Sequence, residues 1–504
     1  MNFRILAKFL GALLILTSIA MLACGIFAVL DTVSGESAAV SSLFLSAGID
    51  FLSGVLLMLC GIGEIDRVPR REGIAVVGLG WILCGLVGSL PYMLGEPRME
   101  FPDAFFESVS GFTTTGSTVM GTDHTTGNDI ESWPRGILMW RSVTQWLGGM
   151  GILVLFVALL SYLGMGSKSM FRNESSFQTG EAYTARIRDT ALTLWKLYLC
   201  VTLICIAGLL ALGLSPYNAI SHAFTVVSTG GFSPHNQSIG HYASWGNSWL
   251  IELWLSIFMI ICSISFLVWV VLLRKRWQRL RAEEEGKLFI LIFMVASVVI
   301  AWNLTEIGGG GPMNFLTALR HSWFNVLSVF STTGYSTVDY AAWPGDTLVL
   351  LAALMILGGC SGSTSGGVKV SRFIVLLKTA RFEIVRAFRP HQVFRMHVNG
   401  NALGEAERLQ TVVFLALFGL IFIAACFLVS LLEVTHGMDM ISAFGCVIAT
   451  IANIGPGFGS VGPAENFGHL GGVTKIFLAM LMILGRLELY AILVLFMPSV
   501  WRKY

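Results

Sequence analysis

The sequence predicts an all-α polytopic membrane protein in which two N-terminal helices precede four fused helix–pore-loop–helix units around one pore. Three observations predict this fold. Hydrophobic residues make up 55% of the 504 positions and charged residues 12%, a balance that excludes a soluble domain of this size. Apolar runs long enough to cross about 30 Å of hydrocarbon recur along the chain. A short motif rich in hydroxyl residues and glycine lies between such runs four times.

Residues 1–70 are predicted to form two additional transmembrane helices ahead of the repeated part. The apolar runs cover approximately residues 3–30 and 38–62. The first run carries no small-residue cleavage pattern, so we interpret it as a retained helix rather than a removed signal peptide. The nine cysteines lie almost all singly within apolar runs, which favours buried small side chains over disulfides or a zinc site.

The four motifs indicate that the rest of the chain repeats. They read "GFTTTGST" from Gly111, "VVSTGGFS" from Val226, "VFSTTGYS" from Val329 and "TIANIGPGFG" from Thr450. Aligning Gly116, Gly230, Gly334 and Gly455 gives a loose period of about 113 residues. We predict pore units at residues 71–188, 189–285, 286–407 and 408–504.

A short segment with aromatic residues precedes each motif, such as "PDAFFESVS" before the first. Segments of about 9 to 13 residues reach at most ~20 Å as helix and are too short to cross the membrane. We expect re-entrant half-helices, whose following loops must be buried or line a watery cavity. The C-terminal ends of four half-helices around one axis favour a cation, and glycine lets the loops turn their carbonyl groups inward. For any single loop, an ordinary turn between helices is the alternative.

Charge patterning predicts the orientation. Basic residues gather in alternate segments, which include Arg67, Arg70 and Arg71; Lys168, Arg172, Arg186 and Arg188; "RKRWQRLR" from Arg274; the stretch from Lys378 to Arg395; and "WRK" near the end. The positive-inside rule places these segments and, with ten crossings, both termini in the cytoplasm. The intervening outer segments contain many acids, namely Glu100, Asp103, Asp123, Asp129, Glu131, Asp339, Asp346 and Glu465. These acids either concentrate cations at an outer mouth or merely solvate exposed loops.

Over essentially its whole length the chain resembles the membrane subunit of the Trk/Ktr/HKT superfamily of potassium transporters, and most closely the bacterial TrkH type. The two extra N-terminal helices and the ending "ILGRLELYAILVLFMPSVW" favour TrkH over the shorter Ktr subunits. The resemblance implies potassium uptake across a bacterial inner membrane, potassium bound at the loops as the transported ion, no organic cofactor and no enzymatic activity. Implied partners are a second copy of the chain and a cytoplasmic TrkA-type RCK subunit that binds nucleotide; nucleic acid is not expected. Whether transport is passive or a symport with protons or sodium stays open.

The resemblance also assigns the selectivity filter. The implied potassium-binding residues are Thr114, Thr115 and Gly116; Ser228, Thr229 and Gly230; Thr332, Thr333 and Gly334; and Asn453, Ile454 and Gly455. Gly116, where plant relatives that pass sodium can have serine, favours potassium. Only the third loop keeps Gly-Tyr and none keeps Gly-Tyr-Gly, which predicts weaker discrimination among potassium, rubidium and sodium than in a channel. We expect Tyr335 to brace its loop rather than set selectivity.

A glycine-rich break predicts a gate below the filter. The apolar run 347–357 rises about 16 Å as helix, roughly half the hydrocarbon thickness. It leads into Gly358, Gly359, Cys360, Ser361, Gly362, Ser363, Thr364, Ser365, Gly366 and Gly367, which cannot form a stable helix in lipid. A packing contact between helices is the alternative interpretation.

Arg486 is the second predicted part of the gate. It lies about 18 Å into the last span, where a guanidinium usually faces a cavity or a partner. The family resemblance implies that this arginine and the 358–367 segment obstruct the pore, and we expect them to be hydrogen-bonded when the pore is closed. The alternatives are a snorkelling arginine or a pair with Glu488, and Lys369 is a weaker candidate for the gating role.

Two other functions are compatible with parts of the sequence. Gly359 to Gly362 match the G-x-S-G pattern of a serine hydrolase, but the histidines lie in predicted cytoplasmic or outer segments, so no base stands at the depth of Ser361. A broken-helix secondary transporter of another cation or small solute is the second alternative, although such proteins usually contain two inverted repeats, whereas here four units share one orientation.

Overall fold

The computed structural model describes residues 1–31, 37–61, 70–121, 129–151, 187–275, 277–306, 308, 313–389 and 396–501. Arg67, Lys168, Arg172, Arg186, His391, Arg395 and Asp123 lie outside these residues, as does the end of the first predicted unit beyond residue 151.

Two long helices begin the chain, α1 (Phe3–Leu30) and α2 (Ser37–Cys60). They pack at a pair of glycines, because a side-chain carbon on Gly11 would lie only 2.6 Å from the Gly54 carbonyl oxygen. Thr17 Oγ1 donates to Asp50 Oδ2 at 2.5 Å, so that this carboxyl has a partner inside the pair. The two predicted N-terminal helices are confirmed.

Four units follow, each with a first helix, a short helix, a motif and a second helix. Unit 1 contains α3 (Arg70–Gly88), α4 (Leu90–Leu94), α5 (Phe101–Phe112) and α6 (Arg135–Gly149). Unit 2 contains α7 (Ile187–Ala211), α8 (Pro216–Val227), α9 (Ser248–Ser263), α10 (Phe266–Leu273) and α11 (Trp277–Ala282). Unit 3 contains α12 (Glu285–Asn303), α13 (Phe315–Phe330), α14 (Gly345–Leu357) and α15 (Val370–Phe388). Unit 4 contains α16 (Glu405–Leu432), α17 (Met440–Ile451), α18 (Gly472–Arg486), α19 (Tyr490–Leu493) and α20 (Pro498–Trp501).

The short helices α5, α8, α13 and α17 form the centre of the protein. Three contain 12 residues and α13 contains 16, so none is long enough to cross the membrane. Their side chains are largely buried, with Phe106, Val226, Val329 and Val447 fully excluded from the surface. The predicted all-α fold with four pore-loop units is confirmed, while the unit boundaries stay predictions. A β-hairpin of β1 (His397–Val398) and β2 (Asn401–Ala402) joins units 3 and 4.

Two of the second helices are broken rather than continuous. Helices α9 and α10 meet at an angle of 92°, and α18 and the segment Tyr490–Phe496 meet at 115°. At the first break, Ser263 O accepts from Cys360 N at 2.9 Å and Phe266 N donates to Gly362 O at 3.0 Å. The glycine-rich segment therefore satisfies the backbone groups that the break frees.

Six described helices are long and apolar enough to cross a membrane, and each bent pair could form one further span. The second helices of units 1 and 3, α6 and α14, are shorter. Ten crossings stay a prediction. All nine cysteines are free, and Cys60 and Cys200 are exposed on apolar helices, so the expectation of buried cysteines is wrong for these two.

Candidate functional site

The four motifs form one repeated backbone turn at the C-terminal ends of the short helices. After a capping residue, each loop turns through a residue with φ between +54° and +56°, a conformation uncommon outside glycine. The next N–H donates to the carbonyl five positions earlier at 2.8 to 2.9 Å. The left-handed residues are Thr114, Thr229, Thr332 and Asn453, and the residues after them are Thr115, Gly230, Thr333 and Ile454.

A left-handed glycine comes next in every unit. The φ angles are +85° at Gly116, +75° at Gly231, +81° at Gly334 and +109° at Gly455. The equivalent residue in unit 2 is therefore Gly231, and the sequence alignment on Gly230 is wrong by one position. Ser228 is the residue that caps helix α8. In each of the other three units, the equivalent capping residue comes just before the predicted filter triplet. The glycine pair hides this register in the sequence, because only the backbone conformation distinguishes its two members.

The four glycines bring each loop against the next. A side-chain carbon at Gly116 would collide with the Gly230 carbonyl oxygen, at Gly231 with that of Thr333, at Gly334 with that of Ile454, and at Gly455 it would lie 3.0 Å from that of Thr115. The contacts run from unit 1 through units 2, 3 and 4 and back to unit 1. The loops thus form a closed ring, called here the glycine ring (residues 114–116, 229–231, 332–334 and 453–455).

The glycine-rich segment 358–367 packs against one face of the glycine ring and the adjoining helix ends. Its contacts are Gly366 N to Thr332 Oγ1 (2.6 Å), Gly367 N to Ala452 O (2.9 Å) and Thr229 Oγ1 to Thr364 Oγ1 (3.3 Å). These contacts reach units 2, 3 and 4. In the loops of units 1 and 4, the side-chain oxygens equivalent to those of Thr229 and Thr332 are Thr114 Oγ1 and Asn453 Oδ1. Both are buried, and neither has a hydrogen-bond partner among the described residues.

Arg486 joins this segment to unit 1. One guanidinium nitrogen donates to Thr364 O at 2.8 Å, and another donates to the carbonyls of Gly148 and Gly149 at 2.9 and 3.0 Å. Arg486 is the last residue of α18, at the 115° bend, so it does not lie within a continuous span as the sequence suggests. Glu488 forms an ion pair with Arg372.

The two faces of the glycine ring differ in their lining. On one face, a cavity of about 100 Å³ is lined by all four ring glycines together with Arg141 and His235. On the other side of the 358–367 segment, a cavity of about 90 Å³ is lined by Gly149, Lys369 and Arg486. Lys369 is buried and donates to Ser365 O. One cavity is therefore open to the ring, and the other is lined by two cationic side chains and by the carboxylate of Glu488.

A family model described as "TrkH: Cation transport protein" matches residues 64–503. The chain belongs to the TrkH family. The Trk system potassium uptake proteins TrkH of Halomonas elongata and of Escherichia coli K12 are each 34% identical to it over 509 residues, which cover 100% of both chains. The crystal structure of the potassium transporter TrkH from Vibrio parahaemolyticus matches with a TM-score of 0.84 at 32% identity and covers 100% of each chain.

In this TrkH-family chain, Gln145 completes the unit 2 loop from outside. Its Nε2 donates to Gly230 O at 2.7 Å and its Oε1 accepts from Phe232 N at 3.1 Å. A side-chain carbon at Gly230 would lie 2.4 Å or slightly more from the Gln145 amide. Gln145 therefore occupies the space that the Thr115 and Thr333 side chains fill in their own loops. The sequence offers no clear signal for Gln145, because α6 also contains the buried polar residues Arg141 and Thr144.

A buried ion pair supports the ring on its open face. Arg141 Nε lies 2.6 Å from Glu107 Oε1, with 3% and 0% of these side chains exposed. Arg141 also donates to Ser233 O at 2.9 Å, and Glu107 accepts from Val119 N at 3.0 Å. The pair neutralises a guanidinium beside the cavity and connects unit 1 to the unit 2 loop. The sequence analysis missed it because the two residues lie 34 positions apart on different helices.

Asp103 is not available as a free acid at the mouth. It is buried, and its Oδ1 lies 2.5 Å from Lys475 Nζ across units 1 and 4. Glu100, Asp129, Glu131 and Asp339 are exposed. For Asp103 both sequence interpretations are wrong, because its charge is paired inside the protein.

Tyr335 lies behind the ring, between units 2 and 3. Its side chain is fully buried, and its hydroxyl contacts Thr225 Oγ1 and lies 3.2 Å from His222 O. These contacts attach the third loop to helix α8. They are what a bracing role requires.

Proposed function

We propose that this chain takes up potassium across a bacterial inner membrane through the glycine ring. The observation that carries the proposal is the closed ring of four loops with left-handed glycines. Relatives named as potassium uptake proteins match the whole chain, and their names support potassium as the ion.

The ring suits a dehydrated monovalent cation. Four short helices end at it, and the C-terminal end of a helix carries a partial negative charge of about half an electron. Main-chain carbonyl oxygens can replace the water shell of potassium, and those of Thr115, Gly230, Thr333 and Ile454 lie where adjacent loops meet. We propose the predicted filter residues, with Gly231 added in unit 2, as the potassium site.

The segment 358–367 and Arg486 form the proposed gate in its closed state. The segment covers one face of the ring, and Arg486 bonds it to unit 1. A guanidinium on the pathway repels cations, and its three hydrogen bonds hold the segment in place. Opening then requires movement of Arg486 away from Thr364, Gly148 and Gly149.

The charge distribution of the chain and its family membership support proposals for its orientation in the membrane, its assembly and its regulator. The exposed basic residues Arg274, Arg381, Arg386 and Arg389 suit a cytoplasmic surface, and they are also suited to lipid headgroups or to a soluble TrkA-type subunit. We propose a homodimer that binds this nucleotide-dependent subunit. Family membership leaves open whether uptake is passive or a symport with protons or sodium, and transport assays test this.

A secondary transporter is the second candidate, because the two bent helix pairs resemble the discontinuous helices of such proteins. A serine hydrolase has less support, since Ser361 Oγ lies 2.5 Å from Ser371 Oγ, and among the described residues no hydrogen bond joins Ser361 to a histidine.

Rubidium uptake into liposomes tests the proposal. We expect uptake that potassium competes away and that Gly334→Ala abolishes, since the added carbon would collide with Ile454 O. Gly213→Ala is the matched control, because Gly213 has φ +93° with open space around it. Uptake that depends strictly on a pH or sodium gradient would favour the secondary transporter, and equal loss in both variants would contradict the role of the ring.

A further inference from the structure

Three side chains from two units converge at the rim of the open cavity. Glu131 lies in the loop of unit 1, in the short 3-10 helix Ile130–Ser132, and His235 and His241 lie in the loop of unit 2. One ligand atom from each of the three lies within 4.8 Å of the others. Two imidazoles and a carboxylate are a donor set that suits zinc and neighbouring transition metals better than potassium.

The two imidazoles are held close together. Their rings stack with centroids 3.7 Å apart at an interplanar angle of 4°. His235 Nδ1 lies 3.6 Å from Glu131 Oε1, beyond hydrogen-bond length. Zinc binds nitrogen at about 2.0–2.1 Å and oxygen at about 2.0–2.2 Å. Imidazole lone pairs lie in the plane of the ring, so binding of one ion by both rings requires the exposed His241 side chain to rotate out of the stack.

The hydrogen bonding of His235 also points to a ligand. Both of its ring nitrogens are buried and have no hydrogen-bond partner among the described residues. A neutral imidazole carries one N–H and one lone pair, so a half-buried ring whose two buried nitrogens both lack a partner calls for a water or an ion.

The backbone around the cluster is fixed before any metal binds. Asn236 N donates to Glu131 Oε1 at 3.0 Å, and Asn236 Nδ2 donates to Asp129 Oδ1 at 2.9 Å. Ile130 N donates to Asn236 Oδ1 at 3.0 Å. These bonds join the loops of units 1 and 2, so the ligands are presented by a braced surface rather than by two independent loops.

We propose that Glu131, His235 and His241 form a binding site for a divalent transition-metal ion, with Zn²⁺ the best-fitting probe, at the rim of the cavity above the glycine ring. Three protein ligands leave a coordination position for water, the pattern of an open zinc site. His235 lines the cavity that reaches all four ring glycines. A bound dication there places two positive charges beside the approach to the ring and opposes the entry of potassium. The proposed block of potassium entry rests on the proposed function, whereas the proposed metal binding does not.

Calorimetry with ZnCl₂ on the purified full-length protein tests the site. We expect one saturable site per chain, and a loss of affinity of at least about tenfold in His241→Gln and in Glu131→Gln. His469→Gln is the matched control, because His469 is another imidazole in a loop, bonded to Ser460 and outside the cluster. Affinity that is unchanged in both cluster variants, or lost equally in the control, would overturn the site.

Rubidium uptake with and without ZnCl₂ tests the obstruction separately. Zinc should inhibit uptake by the unaltered protein and the His469→Gln variant, and inhibit His241→Gln only at higher concentration. Zinc binding without inhibition overturns the obstruction and leaves the site. Absence of rubidium uptake in metal-free buffer counts against the proposed function alone, since calorimetry then still decides the site.

Discussion

Replacing Arg486 by alanine should open the pore in the absence of any regulator. Arg486 donates three hydrogen bonds, to Thr364, Gly148 and Gly149. Hydrogen bonds from a charged donor contribute about 1.5–3 kcal/mol each, and such bonds are not additive. A loss of about 3–4 kcal/mol from the closed state would raise the ratio of open to closed protein by roughly 100- to 1,000-fold.

The assay is passive ⁸⁶Rb⁺ flux into liposomes that contain the membrane subunit alone. Arg486→Lys separates the two effects of the side chain, since lysine keeps the charge but cannot bridge several carbonyls as guanidinium does. We expect its flux to lie between those of the unaltered protein and Arg486→Ala. Arg320→Ala is the control, because Arg320 bonds Glu252 and Ser248 on helix α9 and should not change flux. Flux of Arg486→Ala at or below that of the unaltered protein, at equal thermal stability, would refute the reasoning.

Four further substitutions test the ring and its supports. Gly231→Ala should abolish rubidium flux. Gly230→Ala should lower the flux less, and the flux should recover when Gln145 is also shortened. A larger loss of flux in Gly230→Ala than in Gly231→Ala would contradict the revised register. Glu107→Gln should lower the free energy of unfolding by about 3–5 kcal/mol, since it leaves a buried guanidinium unpaired, and thermal unfolding in detergent measures this. Tyr335→Phe should cost about 1–2 kcal/mol of stability from its lost hydrogen bonds while the potassium-to-sodium flux ratio stays constant; a changed ratio would contradict a bracing role.

The fold could be predicted from the sequence because it consists of repeated units. Each unit offers the same succession of apolar run, short amphipathic segment and hydroxyl-glycine motif, so that four weak signals support one another. The N-terminal pair could be predicted from length and hydropathy alone, and α1 begins and ends within a residue of the predicted bounds.

The breaks in α9–α10 and after Arg486 could not be predicted in the same way. Apolar residues flank both breaks on each side, and hydropathy does not register backbone conformation. At Glu488 and Leu489 the chain adopts φ angles of +55° and +63°, which residues with side chains adopt only where the surrounding structure enforces it. The cause of the first break lies about 100 residues away, in the backbone groups of the 358–367 segment.

The glycine ring shows what fusion of the four units into one chain permits. Four identical subunits must place the same side chain at each equivalent position, whereas here the position before the left-handed glycine is Thr115, Gly230, Thr333 or Ile454. At Gly230 the missing side chain is replaced by Gln145 from another unit, which holds the loop on both sides of Gly231. A sequence alignment reads such a position as a shift in register, because it compares residues along the chain and not the side chains that fill a site in space. The ring is therefore fourfold in its backbone and asymmetric in its supports, so each loop can be tuned separately by residues outside its own motif.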